Sequence, residues 1–168
     1  MYADDGETMK VALAQINPTV GDIEGNSSRI IDSIETARSA GADVLITPEL
    51  AVFGYPPKDL VLRRDLVQKN VAALERIAVR CADITALVGY VQPDPTAAGK
   101  GIFNAAAVCR DGRLETWYAK MLLPTYDVFD ESRYFNCGTQ VRALPMRDRG
   151  HTRCVGLTIC EDLWNNHQ

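Results

Sequence analysis

Three of the 168 residues, Glu49, Lys120 and Cys160, each stand just beyond an apolar, β-prone run: "VLITP", "LETWYA" and "VGLTI". Together their types make a chemistry. A free thiol titrates at about 8.5 and is only slightly ionised at neutral pH, so a cysteine acting as a nucleophile needs help. A neighbouring ammonium lowers that value, and a neighbouring carboxylate can take the proton. Histidine is a poor source of help here, because the only two are His151, in a turn, and His167, near the end of the chain. Each residue also has an ordinary reading: Glu49 as a solvated loop carboxylate, Lys120 as a surface ammonium, Cys160 as an inert core thiol. Three such groups at three strand ends favour a shared site, since ligands and catalytic side chains of open α/β sheets gather beyond the carboxyl ends of strands.

For that site to exist, strands must end at those three places. "VALAQI" (Val11–Ile16) predicts a short strand closed by Asn17-Pro18. Asn26 is placed to cap a helix whose apolar positions Ile30, Ile31, Ile34 and Ala37 share a face, with Gly41 as its stop. Val44–Thr47 predicts a buried strand, and Pro48, which cannot donate to a ladder, keeps Thr47 extended. A second helical region runs from about Asp59 to Cys81, where Leu66, Val67, Asn70, Val71, Leu74, Ile77, Ala78 and Cys81 make one stripe. Ile84–Val91 returns as a strand, and Pro93–Gly101 is a loop. Asp111-Gly112, between two strand-like runs, is a strong hairpin signal. Val141–Met146 and Arg153–Ile159, joined across "RDRGHT", predict a second hairpin. The class expected is α/β or α+β, a mixed sheet with helices on one or both faces.

Composition narrows the function. With 46% hydrophobic and 24% charged residues, the chain reads as one globular domain without repeats or linkers. A net charge of −4 with no basic cluster argues against nucleic acid or anionic membrane as partners. No apolar run approaches the length of a membrane span. The acidic opening "MYADDGETMK" is the wrong chemistry for a secretory signal. Five cysteines, without CxxC spacing, suggest free thiols in a reducing cytoplasm, and Cys154 and Cys160 with either histidine make no recognised zinc spacing. No metal site is expected.

Three stretches in order, "TPEL" (Thr47–Leu50), "YAKMLLPTYDVFDE" (Tyr118–Glu131) and "TICEDLW" (Thr158–Trp164), resemble the motifs of the nitrilase, or carbon–nitrogen hydrolase, superfamily. Within it, "GYPPKDLVLRRD" (Gly54–Asp65), "DVFDESRYF" (Asp127–Phe135) and the CED-x-W of Cys160–Trp164 resemble the N-terminal glutaminase domains of glutamine-dependent NAD synthetases. The resemblance runs from Met9 to about Asn165. It implies a nitrilase-like α-β-β-α sandwich incomplete at the C-terminus, with a disordered extension over 1–8 and a truncated amidase domain over 9–168.

The resemblance also implies roles. Glu49 resembles the general base, Cys160 the nucleophile and Lys120 the cation that steadies the tetrahedral intermediate. Glu131 resembles a second acid that buttresses the site, and Tyr55 and Phe129 match aromatic positions lining a glutamine pocket. The backbone N–H of Glu161, next after the nucleophile, is expected to help hold the oxyanion. Asp162 is read as structural. The implied partners are glutamine as substrate, a synthetase domain absent here, and further copies of the full-length protein in a homo-oligomer. The amidase needs no cofactor; ATP and magnesium belong to the synthetase domain. Gly99–Gly101, "GKG", is too short for a phosphate loop, so ammonia rather than NAD is the expected product. Two alternatives stay open: a free-standing amidase for a small aliphatic amide, and a non-catalytic α/β binding or assembly module. Relatives continue with a helix and further strands, so an uncovered sheet edge and apolar face, and poor stability, are expected.

Overall fold

Apolar runs and amphipathic stretches alternate along the first half of the chain, and they fold as a sheet carrying helices on one face. The computed structural model describes residues 8–148 and 151–164; the expected disorder over 1–8 falls, apart from Thr8, outside them, as does His167. In chain order come β1 (Val11–Leu13), α1 (Ile23–Ser39), β2 (Val44–Ile46), a 3-10 turn (Lys58–Leu62), α2 (Arg64–Val79), β3 (Thr85–Pro93), β4 (Ile102–Arg110) and β5 (Arg113–Ala119). A short 3-10 turn (Glu131–Arg133), β6 (Ala143–Asp148), β7 (His151–Gly156) and α3 (Glu161–Trp164) follow.

Strands β1 to β5 form one sheet in sequence order, parallel from β1 to β3 and antiparallel from β3 to β5. Strands β2, β3 and β5 therefore run the same way and end at one edge. The β4–β5 turn uses Asp111 and Gly112, both at positive φ (54° and 72°), the backbone that a two-residue hairpin of the right twist demands. Ile30, Ile34 and Ala37 of α1 and Leu74, Ile77 and Ala78 of α2 bury against one sheet face with Ala86, Val88, Ala105 and Ala107. The other face carries Val44, Val108 and Tyr118, covered by Leu144 and Met146 of the β6–β7 hairpin together with Leu157 and Ile159. The result is helix layer, sheet and second β layer.

Three expectations about local structure are corrected. The N-cap of α1 is Asp22, whose carboxylate accepts from Gly25 N at 3.0 Å, and not Asn26. Asn26 is fully buried inside the helix and is used elsewhere: it accepts from Thr19 N and donates to Thr19 O and Val52 O, tying the loop after β2 to α1. The second helical region is interrupted at Arg63, which is extended (φ −78°, ψ 106°) between the 3-10 turn and α2. The last strand stops at Gly156: Leu157 still donates to Arg142 O at 2.9 Å, and the chain then turns in toward the sheet edge.

Candidate active site

Glu49 is delivered by a parting of strands. Beyond Ile46, β2 leaves β3, which would orphan the ladder groups of β3 at its end. Thr47 N still donates to Leu87 O (3.0 Å), Thr47 Oγ1 accepts from Gly89 N (3.0 Å), and Val52 N returns to Gly89 O (3.0 Å). Asn70 of α2 then satisfies both backbone groups of Val91, donating to its carbonyl at 2.7 Å and accepting from its N–H at 3.2 Å. Residue 89 must be glycine for this, because a Cβ there would collide with Pro48 O and Leu50 N. The loop that carries Glu49 thus lies flat on the end of β3.

Lys120 leaves the end of β5 with both backbone groups held: its N–H donates to Asn104 O (2.9 Å), and its carbonyl accepts from Gly138 N (2.8 Å). The side chain is fully buried, and its ammonium lies 2.6 Å from Glu49 Oε1 and 2.9 Å from Glu131 Oε1. Burial alone would pull Lys120 down, but the Glu49 and Glu131 carboxylates outweigh it and hold the ammonium above its usual value. Glu131 is pushed up, first by burial and then by the Glu49 carboxylate, against the opposing pull of Lys120. Tyr55 donates to Glu131 Oε1 at 2.9 Å; burial and that carboxylate keep its phenol well above the ordinary range.

Asn104 completes the cluster, and sequence reasoning missed it. In β4 it reads as one polar residue in "IFNAAAVCR", yet its amide is buried and donates to Glu49 Oε1 at 2.6 Å and Glu131 Oε2 at 3.2 Å. The only available signal was that a polar amide interrupts an otherwise apolar strand. Lys120 and Asn104 both engage Glu49 through Oε1. Among the described residues no hydrogen bond falls on Glu49 Oε2, so one oxygen anchors the carboxylate and the other is left for a proton. The Glu49 side chain is 17% exposed and Glu131 only 4%, so Glu49 is the carboxylate that faces the open side.

Cys160 comes from the second layer. It follows the buried Leu157 and Ile159, sits at φ 43° and is exposed. It shares with Glu49 a pocket of about 230 Å³ lined also by Thr47, Gly89, Ala106 and Thr158. The expected lowering of its pKa is not what the surroundings produce. Partial burial and then the Glu49 carboxylate raise the thiol, with Glu131 and Glu161 adding to the rise and Lys120 opposing it; the sum is upward. Two carboxylates stand against the ammonium, and their charges oppose its pull on the sulfur.

The remaining predicted residues flank the cluster. Phe129 lies 6.4 Å from the Tyr55 ring and 5.6 Å, edge-on, from that of Tyr126, forming an aromatic wall. Glu161 is buried, and its carboxylate accepts from the Tyr126 hydroxyl at 2.8 Å. Folding therefore brings Glu49, Lys120 and Glu131 into direct contact, sets Cys160 and Glu49 on one pocket, and places Tyr55, Phe129 and Glu161 around them. Among the described residues no group of three or more His, Cys, Asp or Glu is arranged to hold a metal ion.

Comparison with known proteins follows the same line. The carbon–nitrogen hydrolase family matches residues 10–168. A glutamine-dependent NAD(+) synthetase of Thermotoga maritima is 42% identical over 159 residues, covering 94% of this chain and 26% of its own length. The solved glutamine-dependent NAD+ synthetase of Acinetobacter baumannii superposes with a TM-score of 0.83 at 38% identity, over 93% of this chain and 28% of that one. A mutant of the amidase from Nesterenkonia sp. AN1, which shows Michael addition of acrylamide at its active-site cysteine, gives a TM-score of 0.76 at 25% identity, over 92% of this chain and 58% of that one. The chain thus spans under a third of the length of the synthetases it matches.

Proposed function

The chain belongs to the carbon–nitrogen hydrolase family, and on that premise we propose that it is the glutamine-cleaving part of a glutamine-dependent NAD synthetase, releasing ammonia through a thioester on Cys160. The observation that carries the reading is the asymmetric Glu49 carboxylate: Oε1 is pinned by the buried Lys120 ammonium at 2.6 Å, while the same side chain shares a pocket with the Cys160 thiol.

In this reaction Glu49 Oε2 takes the proton from Sγ as the sulfur attacks the side-chain amide carbon of glutamine. Because the resting thiol is held protonated, transfer and attack go together and no standing thiolate is needed. The tetrahedral oxyanion is held by Lys120 Nζ and the backbone N–H of Glu161. Glu49 then gives its proton to the departing nitrogen, the C–N bond breaks, and ammonia leaves an acyl-enzyme. Water, deprotonated by Glu49, attacks the thioester; sulfur regains the proton, and glutamate is released. Every proton moves between Glu49, sulfur, nitrogen and water. Glu131, Tyr55 and Asn104 keep Lys120 and Glu49 in register, and Phe129 packs beside Tyr55.

Glutamine is chosen over other amides because the synthetases that the chain resembles are named for it. Their remaining length would use the ammonia. Five free cysteines suit a reducing, cytoplasmic setting. The test is ammonia release from glutamine compared with acetamide and propionamide, with Cys160→Ala as control. Glutamine should be preferred, and the variant should be inactive with an unchanged circular dichroism spectrum. Preference for a small aliphatic amide would replace this reading with the amidase one, and turnover retained by Cys160→Ala would remove the nucleophile.

A further inference from the structure

One carboxylate joins the two segments that carry Lys120 and Cys160. Asp162 Oδ1 accepts from the backbone N–H groups of Met121 (3.0 Å) and Leu122 (2.8 Å), the two residues after Lys120. Its Oδ2 accepts from the hydroxyl of Tyr118 (2.7 Å), two residues before Lys120, and from the backbone N–H of Ile159 (2.9 Å), the residue before Cys160. Asp162 N in turn donates to Ile159 O at 3.1 Å, and Leu163 N donates to Cys160 O at 3.0 Å. Ile159 and Asp162 therefore close a reciprocal pair around Cys160. Inside that pair the cysteine occupies φ 43°, the left-handed region that a Cβ disfavours and that persists only where the flanks are held.

Resting on the amide-cleaving reading above, we propose that Asp162 is a positioning residue of the reaction. It holds Cys160 in its turn and fixes that turn against the end of β5, so that the sulfur reaches the acyl carbon while Lys120 faces the acyl oxygen. It acts through the backbone and touches no substrate. Four donors converge on its two oxygens, so no place is left for an N–H. Asp162→Asn keeps the size of the side chain but turns an amide NH2 against two of those donors.

The experiment uses the full chain and two readouts. For ammonia release from glutamine, Asp162→Asn should lower kcat about a hundredfold, the scale of a small misplacement of a reacting group, with KM changed less than a few-fold. In iodoacetamide alkylation, the inflection of Cys160 should lie lower in Asp162→Asn than in the wild type, as the thiol leaves the carboxylates. Tyr118→Phe, which removes one bond and keeps the three from backbone groups, should retain the circular dichroism spectrum, lower kcat a few-fold and leave KM unmoved. A folded Asp162→Asn with wild-type kcat and inflection overturns the proposal, as does a loss confined to KM. Should that variant not fold, an unchanged kcat and inflection in Tyr118→Phe overturn it instead. A wild type inactive on glutamine whose Cys160 inflection still falls in Asp162→Asn would sink the assigned reaction and keep the positioning role.

Discussion

The charged cluster and the cysteine turn both reach Glu49 but are built on opposite terms. Lys120, Glu131 and Asn104 are buried at the end of a five-stranded sheet, where the Lys120 ammonium and the Asn104 NH2 each donate to the carboxylates of both Glu49 and Glu131. Cys160 is exposed, stands in a strained turn of the second layer, and is held by hydrogen bonds from its flanks. Charges buried at a sheet end must be mutually paired, because an unpaired ion there costs several kcal/mol. The proposed nucleophile instead needs an open face. The molecule keeps the two requirements on separate layers and lets them meet at Glu49, the one member with an anchored oxygen and an unanchored one.

That contrast can be broken by measurement. The largest expected effect is on stability: Lys120→Ala strands the buried Glu131 carboxylate and the half-buried Glu49 and should cost about 3–5 kcal/mol in urea unfolding, whereas Cys160→Ala should change it by less than about 0.5 kcal/mol. Equal melting of the two variants would erase the distinction. Next comes Asn104→Ala, which takes a donor from both carboxylates and should cost about 1–3 kcal/mol; a neutral result would mean that the amide is incidental. The smallest effect is a shift in a titration. Because the Glu49 carboxylate pushes the Cys160 thiol up, Glu49→Gln should move the alkylation inflection of Cys160 down, giving more thiolate at neutral pH even as glutamine turnover stops. An upward move would show that Glu49 is not the carboxylate acting on the sulfur.

Local pattern carried much of this in advance. Gly41 at φ 69° ends the first helix region, Asp111-Gly112 makes the tight hairpin, and the stripe ending in Ile77, Ala78 and Cys81 buries against the sheet. The strand ends before Glu49 and Lys120 were legible for the same reason: apolar alternation and a proline are local signals. What stayed hidden depended on contacts far apart in sequence. Asn104 meets Glu49 across 55 positions and Asp162 meets Met121 across 41, and nothing local to either residue announces those bonds. Asn26 misled for the opposite reason, since its cap-like type is real but its amide serves Thr19 and Val52.

From the sequence alone came the inventory: an acid, an amine and a thiol placed after apolar runs, and motifs of a carbon–nitrogen hydrolase. Residue type and spacing suffice for that, because strand and turn propensities act over a few residues. The tertiary structure alone decided how the inventory is wired: which oxygen of Glu49 is pinned, that Asn104 bonds Glu49, that Asp162 bonds the segments carrying Lys120 and Cys160, and that the thiol's pKa moves up and not down. Those outcomes are sums of burial and of charges a few ångströms apart, and such distances exist only once the β layers have docked.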